Sequence, residues 1–298
     1  MNGTIVCGID ESSGSRQAAS IAARLARDLD ANALLVRVTD AGGIADRLAP
    51  TRPGRARQAR RRLRAVADEH CFPAGTRVRV KSGDPADTLI AVADREDAEL
   101  IVVAAVGQSS VGSVLLGHVT STLMRQAPCP VVVVPPDAVA PLDARGMTPV
   151  VCGVAGEETD LALLRLADDL ANRLGGELYA VHAYDPAAPQ AARGTVPGAD
   201  PHEFAEHMLG SALEQADVEA EGRTIAGPVH ESLEGAAEQL HAGLIVVGST
   251  GPGKLGSTLH GSVPTYLVSQ GRTAVVVVPL GTRPEPGSGH YELIVGAA

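Results

Sequence analysis

The sequence predicts an α/β fold built as two tandem open parallel-sheet sandwiches, and three observations carry that prediction. Short runs of Val, Ile and Leu alternate with longer segments whose apolar residues recur at helical spacing. The strand-like runs are almost purely apolar, as in a parallel sheet covered by helices on both faces. The whole pattern then occurs a second time.

In the first copy Ile5–Ile9 reads as a strand, Ser15–Asp30 as a helix and "ALLVRV" as a second strand. A helix through Arg55–His70, the strand "TRVRV" and a helix over Pro85–Arg95 follow, the last with Pro in its first turn. "LIVVAA" is the fourth strand, Gly117–Gln126 a helix, and "VVVV" closes the unit. The second copy runs Val150–Val154, Thr159–Leu174, "ELYAVHA", His202–Glu219, "RTIA", Glu231–Leu240, "LIVV", Ser262–Ser269 and "AVVVV".

Sliding the chain on itself aligns Asp97–Pro136 with His241–Leu280 at an offset of 144, the separation of Gly117 from Gly261 and of Pro135 from Pro279. Gly83 falls opposite Gly227, and "TIVCGID" matches "PVVCGVA" at 145, one insertion away. A period this long is a duplicated domain rather than a solenoid of short units. The expected domains are residues 1–143 and 144–280, followed by a Pro/Gly linker and strand-like tail over 281–298. "PPDAVAPLDARGMTP" is the linker between the halves by its Pro and Ala content.

Composition narrows the function classes. A net charge of −10, no Trp, two Phe and four Tyr oppose nucleic-acid binding, which wants basic grooves and aromatic platforms. Cys7, Cys71, Cys129 and Cys152 show no zinc-site spacing and read as small reduced hydrophobes. No apolar run approaches the roughly 18–20 residues of a membrane span, and "MNGTIVCGID" lacks a signal peptide's features, so a cytoplasmic protein is expected. One local exception to the acidity is "TRPGRARQARRRLR", with seven arginines between Arg52 and Arg64. It reads as a solvated helix face, or else as a docking patch for an acidic partner.

The chemistry concentrates in "LIVVGSTGPGKLGSTLHGS", Leu244–Ser262. Gly248-x4-Gly253-Lys254 begins like a P-loop, but that loop needs Ser or Thr next to hold Mg²⁺, and Leu255 stands there. The first copy has no Lys, reading Val111-Gly112-Ser113-Val114, and the last strand runs into Pro279 instead of an acidic metal ligand. The P-loop likeness is therefore coincidental. A second spacing, Gly248-x2-Gly251-x9-Gly261-Ser262, has a mechanism of its own. Glycines let the backbone approach a phosphate closely and adopt positive φ, so successive N–H groups converge on an anion. Gly261-Ser262 then opens a helix whose free amides and dipole favour negative charge, and the Ser262 hydroxyl can cap it or donate to a phosphate oxygen.

That spacing, recurring in a duplicated α/β unit, resembles the universal stress protein family, whose nucleotide-binding members carry G-x2-G-x9-G-[ST]. The resemblance covers residues 1–280. It implies a Rossmann-like sheet of order 3-2-1-4-5, as in the adenine nucleotide alpha hydrolase-like folds, with ATP or AMP across the ends of strands 1 and 4. It also implies an Asp after strand 1, near the nucleoside, and a backbone contact from strand 2 to adenine. Asp10 matches the Asp in the first copy, whereas the second has Ala155. Val38 and Ala183 match the backbone position. The first copy's loop reads Ala104-x2-Gly107-x9-Gly117-His118, followed by Val119 and Thr120; the second continues from Val247 through the glycines to Val263 and Pro264. Copy two thus keeps the phosphate loop without the aspartate, and copy one the aspartate with an altered loop.

No activated Ser or Cys, acid pair or metal cluster stands out, although His182 and His260 stand near the second site. The expected protein is a non-enzymatic sensor or regulator in the stress response. Its expected cofactor is ATP or AMP, with Mg²⁺ allowed beside the phosphates and no structural metal. Two other readings stay open: a scaffold with both sites dead, for which Ala104, His118 and Ala155 speak, and a slow ATP hydrolase. The expected partners are an adenine nucleotide, no nucleic acid and no membrane. The apolar final strands "PVVVVP" and "AVVVVP" are expected to pair one half with the other, with a homodimer of chains beyond that.

Overall fold

A computed structural model describes residues 3–10, 12–39, 53–105, 116–138, 148–157, 159–187, 200–249, 263–279, 282–284 and 291–293. The chain divides into two compact units, Met1–Ala138 with Pro279–Ala298, and Val139–Val278.

Unit 1 contains β1 (Thr4–Gly8), α1 (Ser13–Asp28), β2 (Asn32–Thr39), α2 (Pro53–Glu69), β3 (Arg77–Ser82), α3 (Pro85–Arg95), β4 (Ala98–Ala104), α4 (His118–Gln126) and β5 (Val131–Val134). The strands pair in parallel in the order β3-β2-β1-β4-β5. Unit 2 contains β6 (Val150–Gly153), α5 (Asp160–Arg173), β7 (Leu178–Tyr184), α6 (Pro201–Ala216), β8 (Glu221–Ala226), α7 (Val229–Leu240), β9 (Leu244–Gly248), α8 (Val263–Gln270) and β10 (Ala274–Val278). Its parallel order, β8-β7-β6-β9-β10, is the same arrangement. Both units therefore have the predicted 3-2-1-4-5 topology.

The duplication extends to register. Val6 at the centre of unit 1 pairs with Leu34 on one side and Ile101 on the other. Its repeat counterpart Val151 pairs with Tyr179 and Ile245, the counterparts of those two residues. A one-residue slip would turn each strand's other set of side chains to a given face, so packing of both faces holds the register. β5 and β10, all Val but for Ala274, are buried throughout, as sheet strands covered on both faces require.

Three helices begin at side-chain caps, among them α1 and α3. The Ser12 hydroxyl accepts from the Ser15 amide (3.1 Å) and starts α1; Asp84, before Pro85, accepts from the Asp87 amide (3.0 Å) and starts α3. The predicted helix over 202–219 stops at Ala216 because Asp217 turns left-handed at φ +54°. Likewise α1 ends at Asp28, two residues early, with Asp30 at φ +50° and the Ala31 amide bonded back to the Ala26 carbonyl. In the strand-like tail, Tyr291–Leu293 pairs antiparallel with β11, Thr282–Pro284, and forms β12 of a separate two-stranded sheet. The near strand lies a short connection away in the chain, so closing that pair costs little entropy.

Candidate functional site

A ligand crevice in an open α/β sheet lies at the carboxyl ends of the strands, where the order reverses and connections leave to opposite sides. In this topology that point lies between β1 and β4 in unit 1, and between β6 and β9 in unit 2.

In unit 1 the β1–β2 ladder extends one residue past β1, the Ile9 amide donating to the Val36 carbonyl at 2.9 Å. Asp10 comes next, half-buried. Its carboxylate accepts from the Ser12 amide (2.8 Å) and from the Ser12 hydroxyl, which itself caps α1. The Ser15 hydroxyl donates to the Asp10 carbonyl (2.8 Å), so two serines hold the aspartate's backbone and side chain. Val38 sits near the end of β2 opposite Lys81, half-buried, with its main chain at the carboxyl edge.

Across the crevice, Ala104 ends β4 and pairs with Val134. Gly117 caps α4 at φ −61° and ψ 145°, its amide donating to the Ala105 carbonyl (3.2 Å), with no side chain capping the helix. That φ suits any residue, so positive φ does not call for glycine here. His118 is exposed and Val119 half-buried in the first turn. Thr120 is buried and donates its hydroxyl to the Ala104 carbonyl (2.9 Å), tying α4 to the strand end. Gly107 lies outside the described residues.

In unit 2, Val247 is buried and Gly248 half-buried at the end of β9, paired with Val277 and Val278. The Ser249 amide continues the ladder to the Val278 carbonyl (2.9 Å), as Ala105 does to Val134 in unit 1. Gly251, Gly261 and Ser262 lie outside the described residues. Val263 opens α8 half-buried, with Pro264, which has no N–H, behind it. Ala183 stands near the end of β7 opposite Ile225, the place Val38 holds in unit 1.

Where the aspartate is missing, the structure reveals a residue that sequence reasoning passed over. Asp160, only 2% exposed, accepts at one carboxylate oxygen from the amides of Ala155 (2.8 Å), Gly156 (2.7 Å) and Glu157 (2.9 Å). Three converging amides form an anion nest, and here the chain's own carboxylate fills it. The available signal was an acid at the first position of an apolar-periodic helix. Beside it, His182 Nδ1 lies 2.9 Å from the Val154 carbonyl; a carbonyl only accepts, so Nδ1 carries the proton and Nε2 does not when the ring is neutral.

The three buried thiols are not prepared for nucleophilic attack. Burial pushes Cys7 up to about 12. Cys152 is raised further by burial and then by the negative Asp160, and Cys129 by burial and then Glu99 and Asp97. Among the described residues no group of three or more His, Cys, Asp or Glu could hold a metal, and no helix is long and apolar enough to cross a membrane.

Comparison with known proteins bears on this geometry. The sequence pattern of the universal stress protein family matches residues 1–135 and 147–279, one match per unit. A universal stress protein of Mycobacterium tuberculosis is 32% identical over 199 residues, 65% of this chain and 65% of that protein, so the match spans just under two thirds of the relative's length. Another, from Mycolicibacterium smegmatis, is 31% identical over 224 residues, 72% of this chain and 71% of the relative. Among solved structures, a universal stress protein of Archaeoglobus fulgidus superposes with a TM-score of 0.66 over 93% of this chain and 96% of that one. At 16% identity that likeness is one of fold.

Proposed function

This chain belongs to the universal stress protein family, and on that premise we propose that it binds ATP or a related adenine nucleotide and acts as a sensor or regulator in the stress response. The observation that carries the proposal is the spacing Gly248-x2-Gly251-x9-Gly261-Ser262, which starts where β9 ends at the crevice beside β6. Backbone amides freed by glycine, leading into a helix start, suit the phosphates.

The described residues fit such a ligand. A half-buried carboxylate, Asp10, stands at the end of β1, where a ribose hydroxyl could donate to it. The carboxyl edges of β2 and β7 at Val38 and Ala183 supply backbone for a base. The first turn of α4 has no side-chain cap and can receive an anion. A bound nucleotide supplies the signal here by its occupancy, and Mg²⁺ would ride on its phosphates.

The test is native mass spectrometry of freshly purified protein with Gly261→Val alongside. Wild type is expected to carry adenine nucleotide, and the variant to lose the unit 2 share because branched carbons occupy the phosphate position. Unchanged occupancy in the variant removes the site assignment. A scaffold reading draws support from Ala104, His118 and the self-filled nest at Asp160; it requires wild type to bind nothing at saturating ATP. Steady phosphate release would instead favour slow hydrolysis.

A further inference from the structure

Helix α2 carries a charge pattern that nucleotide binding does not use. Arg57, Arg60, Arg61 and Arg64 recur at i, i+3, i+4 and i+7, which puts them on one side of the helix, flanking its buried Leu63. All four are exposed, and among the described residues none has a hydrogen-bond or ion-pair partner. Asp68 and Glu69 lie beyond Arg64, at the end of the helix.

Helix α6 holds the same place in the other repeat, between the second and third strands, and carries the opposite charge. Glu203, Glu206 and Glu214, with Asp217 just past the last turn, are all exposed. At 3.6 residues per turn they share one face, opposite the buried Ala205, Leu209, Ala212 and Ala216. Gly210 lies in the middle of that face with open space around it, leaving room for long side chains from elsewhere. α6 has no Lys or Arg.

We propose that the arginine face of α2 docks on the acidic face of α6 of a second copy of this chain. The stripes match in charge type, and the roughly 10 Å from Arg57 to Arg64 fits within the roughly 16 Å from Glu203 to Glu214 at 1.5 Å per residue. Planar guanidinium forks suit carboxylates. Every copy brings both faces, so one kind of chain supplies both sides of the contact. A net charge of −10 and the scarcity of aromatic residues favour this occupant over a nucleic acid.

The experiment is sedimentation of the full chain in about 25 mM and about 300 mM NaCl, between which the Debye length falls from ~20 Å to ~6 Å. Wild type is expected to dimerise at low salt, about tenfold or more weakly at high salt. Reversing α2 (R57E, R60E, R61E, R64E) or α6 (E203K, E206K, E214K, D217K) is expected to give monomers. An equimolar mixture of the two variants is expected to restore the dimer, which also shows that both are folded. A wild type monomeric at low salt, a reversal variant that still dimerises, or a mixture that stays apart overturns the proposal. So does anion binding to wild-type α2, probed with a nucleic-acid duplex or anionic vesicles, without self-association.

Discussion

Asp10 and Asp160 solve one local problem in two ways. After the first strand of each unit the chain must turn into a helix, leaving amides without intrahelical acceptors. In unit 1 Asp10, Ser12 and Ser15 share the work through short-range bonds, with Asp10 left half-buried at the crevice. In unit 2 the residue aligned with Ser15 is Asp160, whose carboxylate takes all three amides and is itself buried. Asp160→Ala is expected to destabilise the chain by about 1.5–3 kcal/mol, the scale of losing hydrogen bonds to a buried charge. Ser15→Ala, which removes one neutral hydroxyl donor placed between the Asp10 and Ser12 carbonyls, is expected to cost less, about 1 kcal/mol. Urea unfolding of the pair checks this, and equal losses would deny Asp160 its special place.

Between elements, a glycine at the end of each first strand sets how closely the sheet and its helix approach. A Cβ on Gly8 would meet Leu89 and Val103 side-chain carbons at 3.1 Å. One on Gly153 would meet their repeat counterparts, Leu233 at 3.1 Å and Val247 at 3.3 Å. Gly8→Ala and Gly153→Ala are each expected to cost about 1–3 kcal/mol by overpacking, measurable as paired shifts in urea midpoint. Other ties belong to one unit. Arg77 and Arg79 reach Glu96 at 2.6 and 2.5 Å and fasten β3 to the end of α3. Burial alone would raise the Glu96 carboxyl, but the two guanidinia outweigh it and hold it below the ordinary carboxylate value. A lowered folded pKa gives stability that is present above about pH 4.3, the unfolded value, and is lost as pH falls through the folded one. Glu96→Gln is therefore expected to flatten the acid limb of stability against pH and to leave its shape above pH 6 unchanged. An unaltered acid limb would show that the bridges contribute nothing.

Over the whole molecule, duplication preserved the frame and let the sites diverge. Registers, the positive-φ glycines Gly83 and Gly227, and the Gly8 and Gly153 contacts recur, while aspartate, glycine loop and helix charge differ between units. A frame buries apolar surface and tolerates little change, whereas residues at strand ends face ligand or solvent and can drift. At this scale Gly261→Val has a second readout. Nucleotide at a hundredfold its Kd should stabilise wild type by about 2.7 kcal/mol per site, and the variant should lose the unit 2 part of that gain. Its stability without nucleotide should stay close to that of wild type. A large drop there would point to a folding role for Gly261 instead.

The alternation of elements, the duplication and the limits of most helices were all legible from residue order, because hydrophobic periodicity, caps and breakers act over a few neighbouring residues. So was the loop spacing that suggests a phosphate site, together with the arginine-rich helix. Which acceptor each polar group finds was not legible. The Thr120 hydroxyl turns to the Ala104 carbonyl, and Asp160 gathers the amides of 155–157 while His182 meets the carbonyl of Val154. The Thr120 and His182 partners are chosen by the packing of α4 on β4 and of β6 on β7, contacts between residues far apart in the chain, whereas the Asp160 bonds span only three to five residues. Residue order determined that two α/β units of one topology would form, with different residues at their strand ends; the long-range packing of each sheet decided which acceptors Thr120 and His182 would meet.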